Sequence, residues 1–248
     1  MKASTLQTPV AAIVPLVPRI NRILAALPPE EMEVLWPRLE KIQLPLRRDL
    51  YETGRPVEYV YFLHLGVASM VTEMPEGTAV EIATVGSEGM VGIPIFLGEE
   101  RMASRAFIQV PGEGVRIEAD VFREVLKRCP TLNRLLLRYT LALMNQMAQN
   151  AACNRTHAIE ERCSRWLLMT QDRVRQPSFP LTQEFLAQML GVRRPTVSIA
   201  ANMLAKAGLI SYVRGQITIL NRSGLEAASC ECYRIIAGEF DRLVGDRG

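Results

Sequence analysis

A twenty-residue segment, 183–202, limits most strongly what this chain can fold into. It reads QEFLAQMLGVRRPTVSIAAN, and this spacing is what two short helices joined by a tight turn require. Ala187 is small enough for the two helices to touch, and Gly191, four residues later, ends the first helix in a turn. Pro195 falls in the first turn of the second helix, where its missing N–H costs nothing. The segment therefore predicts a helix-turn-helix.

Basic and polar side chains gather at the start of the second helix, the end that enters the DNA major groove in this motif. Arg194 is the candidate for a bidentate contact to guanine, and Ser198 is suited to either base type. Downstream, 212–219 reads YVRGQITI, which predicts a two-stranded wing with a basic turn. The complete set predicted to contact DNA is Thr182, Gln183, Arg193, Arg194, Thr196, Ser198, Lys206 and Arg214.

Charge and composition limit the class of protein. The net charge is +3, and within 173–214 six basic residues oppose Glu184 alone, an excess suited to phosphates. A solvated basic face without a partner would show the same excess. Five cysteines in 248 residues are not a disulfide scaffold, and the longest uncharged stretch, 139–154, is too short and polar to cross a bilayer. We expect a folded cytoplasmic protein without membrane contact.

The part of the chain before this motif has a different sequence pattern. Between residues 42 and 117, short β-prone runs such as 59–63 and 80–85 are separated by glycine turns, including 86–92. Such runs predict an antiparallel barrel or jelly roll. The alternative for such a roll is a metal-dependent enzyme of the cupin type, which needs two or three histidines, and only His64 lies here. We therefore expect no catalytic residues, no metal ligands and no enzyme activity.

The segment between these two parts is helical. A long helix is predicted over 131–154, on which Leu132, Leu136, Tyr139 and Leu143 step by four, three and four residues. This is coiled-coil spacing and favours a homodimer seam. The alternative is a helix packed on its own barrel. Further along, Cys230 and Cys232 are either an oxidant-sensing pair or two small residues of a terminal helix.

The order of these parts resembles the Crp/Fnr family of bacterial transcription regulators. The similarity is carried by LYETGRPVEYVYFLHLGVAS at 50–69, GSEGMVG at 86–92 and LTQEFLAQMLGVRRPTVS at 181–198. It implies an α+β fold: an N-terminal antiparallel β-roll of the cyclic-nucleotide-binding type, a long dimerisation helix and a C-terminal winged helix-turn-helix. It also implies a homodimer that binds specific promoter DNA and acts on RNA polymerase. The expected segments are a flexible arm (1–19), the effector-sensing roll (20–128), the dimerisation helix (129–156) and the DNA-binding domain (157–248).

The effector implied by the resemblance is not identified by the residues. Members that bind cyclic AMP use a Gly-Glu-Leu turn, an Arg-Ser pair and a Thr-Ser pair, and this chain departs at each. The residues aligned with that pocket are Gly92, Ile93, Pro94, Arg105 and Met147. Because no carboxylate stands where the ribose hydroxyls would bind, we expect a regulator that does not respond to cyclic AMP; a cyclic-nucleotide-responsive regulator is the alternative. An iron–sulfur cluster of the oxygen-sensing branch is not expected, because no cysteine precedes Cys129.

Overall fold

The computed structural model describes residues 21–74 and 79–245. The predicted N-terminal arm, 1–19, lies outside the described residues. Two short helices, α1 (Arg22–Ala25) and α2 (Pro29–Leu35), open the described chain. None of the helices in the described ranges is long and apolar enough to span a membrane.

An N-terminal β-roll follows these helices. Its strands are β1 (Glu40–Leu44), β2 (Asp49–Tyr51), β3 (Tyr59–Leu63), β4 (Val67–Glu73), β5 (Ala79–Val85), β6 (Met90–Val91), β7 (Arg105–Val110) and β8 (Gly112–Glu118), with a short helix α3 (Ile93–Phe96) after β6. They form two antiparallel sheets, ordered β1-β8-β3-β6 and β2-β7-β4-β5. Strands far apart in the sequence are neighbours in both sheets, as in a jelly roll. The predicted roll is confirmed.

Close contacts and backbone conformation explain why the turn at 86–92 is rich in glycine. A Cβ atom on Gly86 would lie 2.6 Å from Cγ of Arg173, and a Cβ on Gly89 would lie 2.3 Å from Cε2 of Tyr139. Gly92 has a φ of 113°, in the left-handed region that favours glycine. This turn of the roll therefore needs glycine to let two larger side chains approach.

The long helix is α5 (Pro130–Thr156), which follows α4 (Ala119–Leu126). Proline occupies its first turn, where no N–H is needed. The carboxylate of Glu31, from α2, accepts hydrogen bonds from the backbone N–H groups of Thr131 (2.7 Å) and Leu132 (2.9 Å). This contact satisfies two free donors at the helix start and fixes α5 to the N-terminal helices.

The face of α5 predicted as the dimer seam points into its own chain. Leu132, Leu136, Tyr139 and Leu143 are all buried within the single chain, and the Tyr139 hydroxyl donates to the carbonyl of Met90 at 2.9 Å. Side chains that are already covered have no surface left for a partner. We therefore correct the assignment of the seam to these four residues: on this face the helix packs on its own barrel.

The C-terminal part is a winged helix-turn-helix followed by two further helices. Its elements are α6 (Ile159–Val174), β9 (Ser178–Pro180), α7 (Gln183–Leu190), α8 (Arg194–Lys206), β10 (Ile210–Val213), β11 (Gln216–Ile219), α9 (Arg222–Ala227) and α10 (Cys232–Val244). The predicted fold is confirmed, with β9 added to the two-stranded wing beside β11. Helix α10 returns to α5, where the Phe240 ring lies 6.4 Å from that of Tyr139.

The helix-turn-helix packs on the outer face of the sheet that contains β7. Phe185 of α7 meets Phe107 of β7 edge to face, with ring centroids 6.0 Å apart. Ser69, the partner of Phe107 across β4 and β7, also faces α7. Because side chains alternate along a strand, the neighbouring buried residues Met70 and Ile108 point inward. Apolar side chains therefore occupy the space between the two sheets.

Candidate DNA-binding surface

Local contacts fix the angle between the two helices of the motif. The Thr182 hydroxyl caps α7 by accepting from the backbone N–H of Phe185 at 3.1 Å. Gly191, with a φ of 63°, ends α7, and the N–H of Val192 returns to the carbonyl of Ala187 at 3.0 Å. Ala187 is buried where the helices meet. The residues that predicted the motif therefore have the roles expected of them.

Helix α8 has one buried and one exposed face. Its buried face comprises Val197, Ala200, Ala201 and Leu204. On the opposite side Pro195, Ile199, Asn202 and Lys206 are exposed, at steps of four, three and four residues. This regular spacing places them in one row along the solvent side of the helix.

The predicted DNA-contacting residues divide into free and engaged side chains. Arg193 and Arg194 are exposed at the start of α8, and the Nε of Arg194 lies 3.9 Å from a carboxylate oxygen of Glu184, a loose ion pair. The Ser198 hydroxyl instead donates to Oε1 of Gln183 at 2.6 Å. That bond ties α8 to α7, so these two side chains already have a structural partner. Thr196 is half-buried.

The wing tip lies beside the start of α7. Arg214 and Gly215 form the two-residue turn between β10 and β11 with φ values of 49° and 77°, the left-handed pair of a tight hairpin turn. A Cβ on Gly215 would lie 3.9 Å from Thr182, and the Tyr212 hydroxyl accepts from the N–H of Gln183 at 3.1 Å. The structure thus brings Thr182, Gln183 and the wing turn together, while Lys206 lies at the other end of α8.

Two exposed residues of α8 were missed by the sequence analysis. Asn202 and Ile199, the latter 61% exposed, lie in the outward row described above. An asparagine amide matches the edge of adenine, and an apolar side chain contacts the thymine methyl group. The signal was present in the sequence, because the apolar residues of 197–204 already define the opposite face.

The five predicted effector residues lie in different elements of the structure. Gly92, Ile93 and Pro94 are buried at the start of α3, and Met147 packs against the core from α5. Arg105 is held by two carboxylates: its Nε lies 2.6 Å from Asp49 and its guanidinium 3.4 Å from Glu73. Three surface pockets of the described residues, beside Glu58, Asp172 and Gln176, are lined by other side chains.

Buried polar groups join α6 to the roll. The indole N–H of Trp166 donates to one carboxylate oxygen of Glu81 at 2.8 Å, and the Ser69 hydroxyl lies 2.6 Å from the other. Burial raises the pKa of Glu81 to about 7, although these hydrogen bonds lower it. Nearby, the guanidinium of Arg173 and the carboxylate of Glu88 form a buried ion pair at 2.8 Å. The C-terminal part is thereby docked on the roll through buried ionisable side chains of Glu81, Glu88 and Arg173.

Two protein-family models match the chain. The model of the cyclic nucleotide-binding domain matches residues 42–129, and that of the Crp-like helix-turn-helix domain matches 161–228. Together they cover more than half of the chain. The chain belongs to the Crp/Fnr family. It has the domains of a Crp-family transcription regulator, and all eight predicted DNA-contacting residues fall within the helix-turn-helix match.

Individual Crp/Fnr relatives are distant. The chain is 24% identical over 196 residues to the CRP-like cAMP-activated global transcriptional regulator of Mycobacterium tuberculosis, covering 76% of this chain and 87% of that protein. A solved structure of a Crp/Fnr-family transcriptional regulator from Eubacterium rectale has a TM-score of 0.65 at 13% identity, covering 83% of this chain and 96% of that one. At that identity the likeness shows the fold.

A second relative matches only part of this chain. The chain is 28% identical over 140 residues to an uncharacterized NTE family protein of Mycobacterium bovis, covering 55% of this chain but only 23% of that protein. The chain therefore matches less than a quarter of the length of this curated relative.

Proposed function

We propose that this chain is a sequence-specific DNA-binding transcription regulator that acts as a homodimer on promoter DNA. The observation that supports this most directly is the exposed start of α8, where Arg193 and Arg194 stand free of strong partners on the side of the motif that also carries the wing turn. A recognition helix enters the major groove by this end. By analogy with the Crp/Fnr family, the DNA-bound protein would contact RNA polymerase. Its location would be the cytoplasm.

The exposed side chains fall into those that would contact bases and those that would contact phosphates. Arg194 is placed to read guanine, Asn202 adenine and Ile199 the methyl group of thymine. Arg193, Thr196, Thr182, Lys206 and Arg214 are assigned to phosphates, which position the protein without reading sequence. Gln183 and Ser198 hold α7 and α8 at the angle that presents these groups, because their side chains bond to each other.

The homodimer is supported by a second stripe on α5. At steps of three and four residues the helix exposes Arg134, Leu137, Leu141, Met144, Ala148, Ala151 and Arg155. Leu137, Leu141 and Met144 are 58%, 45% and 61% exposed in the single chain. A heptad row of this kind buries its apolar side chains by pairing with a second helix. We therefore place the seam on this stripe, which would set two recognition helices about one DNA turn, roughly 34 Å, apart.

We further propose that cyclic AMP is not the effector. Ile93 stands where a carboxylate would meet the ribose, and Arg105 is neutralised by Asp49 and Glu73 rather than free for a phosphate. The second candidate is a cyclic-nucleotide-responsive regulator, which the match to the cyclic nucleotide-binding model and the cAMP-activated relative favour.

One experiment tests the proposal. The purified full chain selects sites from a random DNA duplex pool, once without ligand and once with cyclic AMP, and the retained DNA is sequenced. We expect a two-fold symmetric motif that is the same in both arms. The Arg194→Ala variant should lose selectivity at one position of each half-site, whereas Arg55→Ala, an exposed arginine of the roll, should not. Enrichment only with cyclic AMP would favour the second candidate, and none in either arm would contradict DNA binding.

A further inference from the structure

Three cysteines and one histidine from two distant segments meet at the end of α5. Cys153 lies in the last turn of this helix and His157 directly follows it, whereas Cys230 and Cys232 lie where the chain turns into α10. One ligand atom from each of the four residues lies within 4.8 Å of the others. The three thiols are buried and in the reduced form. All four residues lie outside the two segments matched by the family models.

The spacing fits a single tetrahedral ion. The sulfur atoms of Cys153 and Cys230 are 3.5 Å apart, and Cys232 Sγ is 3.5 Å from Nδ1 of His157. Around Zn²⁺, with bonds of about 2.3 Å to sulfur and 2.0 Å to nitrogen, two sulfurs are about 3.8 Å apart and a sulfur and a nitrogen about 3.5 Å. An iron–sulfur cluster would need ligands spread over several iron atoms, further apart than this.

The surrounding groups orient the four ligands. The second ring nitrogen of His157, Nε2, lies 3.2 Å from the carboxylate of Glu231. This contact keeps the proton on Nε2 and leaves Nδ1 free to bind a metal, an arrangement common in zinc sites. The side-chain amide of Gln149 donates to Cys232 Sγ at 3.0 Å. Such N–H···S bonds stabilise a thiolate ligand.

Two buried arginines supply positive charge beside the cluster. Arg162 and Arg165, in the first two turns of α6, are 8% and 4% exposed, and the Nε atom of each is buried with no hydrogen-bond partner among the described residues. Both lie close enough for their charge to act on Cys153. Buried cations are costly, and three thiolates around a divalent ion carry a net charge of −1, which offsets one of these two positive charges.

We propose that Cys153, His157, Cys230 and Cys232 form a structural zinc site that fastens the start of α10 to the end of α5. On binding, Zn²⁺ forms three Zn–S bonds and one Zn–N bond, and the three thiol protons leave to solvent; no electron is transferred. The two halves of the site are 73 to 79 positions apart in the sequence, so the site joins α10 to the junction of α5 and α6. This proposal does not depend on the proposed DNA-binding function.

Zinc content of the purified protein tests the site. The full chain is expressed with zinc, purified under reducing conditions without chelator, and analysed by inductively coupled plasma mass spectrometry. We expect about one zinc per chain in the wild type. The Cys230→Ala variant should hold almost none, whereas Cys163→Ala, a buried thiol of α6 outside the cluster, should keep it. Absence of zinc in the wild type, or equal loss in both variants, would overturn the proposal.

A second measurement remains decisive where a variant does not fold. Co²⁺ added to the zinc-free wild-type chain should give the intense visible bands of a tetrahedral ion together with sulfur-to-cobalt charge transfer. Titration against a chelator should show at least about tenfold weaker zinc binding for His157→Ala, and a similar loss for Glu231→Gln, which orients the ring. A weak octahedral cobalt spectrum, or a Cys153–Cys230 disulfide in protein kept under zinc and reductant, would overturn the site.

Discussion

Glu81 makes the stability of this protein depend on pH in an unusual direction. Its carboxyl group is buried between β5 and α6, and burial raises its pKa from 4.5 to about 7. In the folded state it therefore keeps its proton at a pH where the unfolded chain has lost it. The stabilising contribution is complete below about pH 4.5, falls as the pH rises, and is lost above about pH 7.

The size of this contribution follows from the pKa difference. A shift of this size is worth about 3 kcal/mol, most of which is lost between about pH 5 and pH 8. Burial of the carboxyl group explains the preference for the protonated form, and the neighbouring side chains can accommodate the proton. The Ser69 hydroxyl faces both Glu81 and the amide oxygen of Gln109 but has a single proton to donate. A protonated Glu81 donates to Ser69, which is then free to donate to Gln109.

The Glu81→Gln variant isolates the effect. Glutamine still accepts from Trp166 and donates to Ser69, but it does not titrate. In urea unfolding followed by circular dichroism, the stability of the wild type relative to this variant should fall by about 2 to 3 kcal/mol between about pH 5 and pH 8. Glu33→Gln, an exposed glutamate of α2, should track the wild type. A difference between wild type and Glu81→Gln that stays constant within about 0.5 kcal/mol would refute the reasoning.

Three other predictions concern DNA binding and pairing. Arg194→Ala should cost about 1 to 3 kcal/mol on the selected site and relax one position of each half-site, measured by gel shift on single-base variants; uniform weakening on all sequences would reassign it to phosphate. Arg214→Ala should flatten the salt dependence of binding by about one unit of slope without changing the preferred site, and an unchanged slope would exclude a phosphate contact. Leu141→Glu, on the exposed stripe of α5, should shift sedimentation from dimer to monomer, while Leu46→Glu, equally exposed on the roll, should not; a dimeric Leu141→Glu protein would place the seam elsewhere.

The sequence alone determined the parts of the molecule that depend on local rules. Ala187, Gly191 and Pro195 specify the helix-turn-helix because a helix contact, a left-handed turn and a first-turn proline each restrict the residue allowed. Short β-prone runs separated by glycine turns specify the roll in the same way. The wing turn at Arg214 followed from its neighbours, although the third strand, 178–180, did not.

Tertiary structure decided which surfaces of these elements meet. Helix α5 carries two apolar stripes of equal spacing, and only the elements that pack against it determine that Leu136 is covered and Leu141 is exposed. The environments of Glu81 and Cys153 also depend on tertiary structure. Glu81 contacts Trp166, 85 positions away in the chain, and Cys153 contacts Cys230, 77 positions away. Periodicity reports that a helix has an apolar face, but burial and side-chain clusters depend on which distant element packs there.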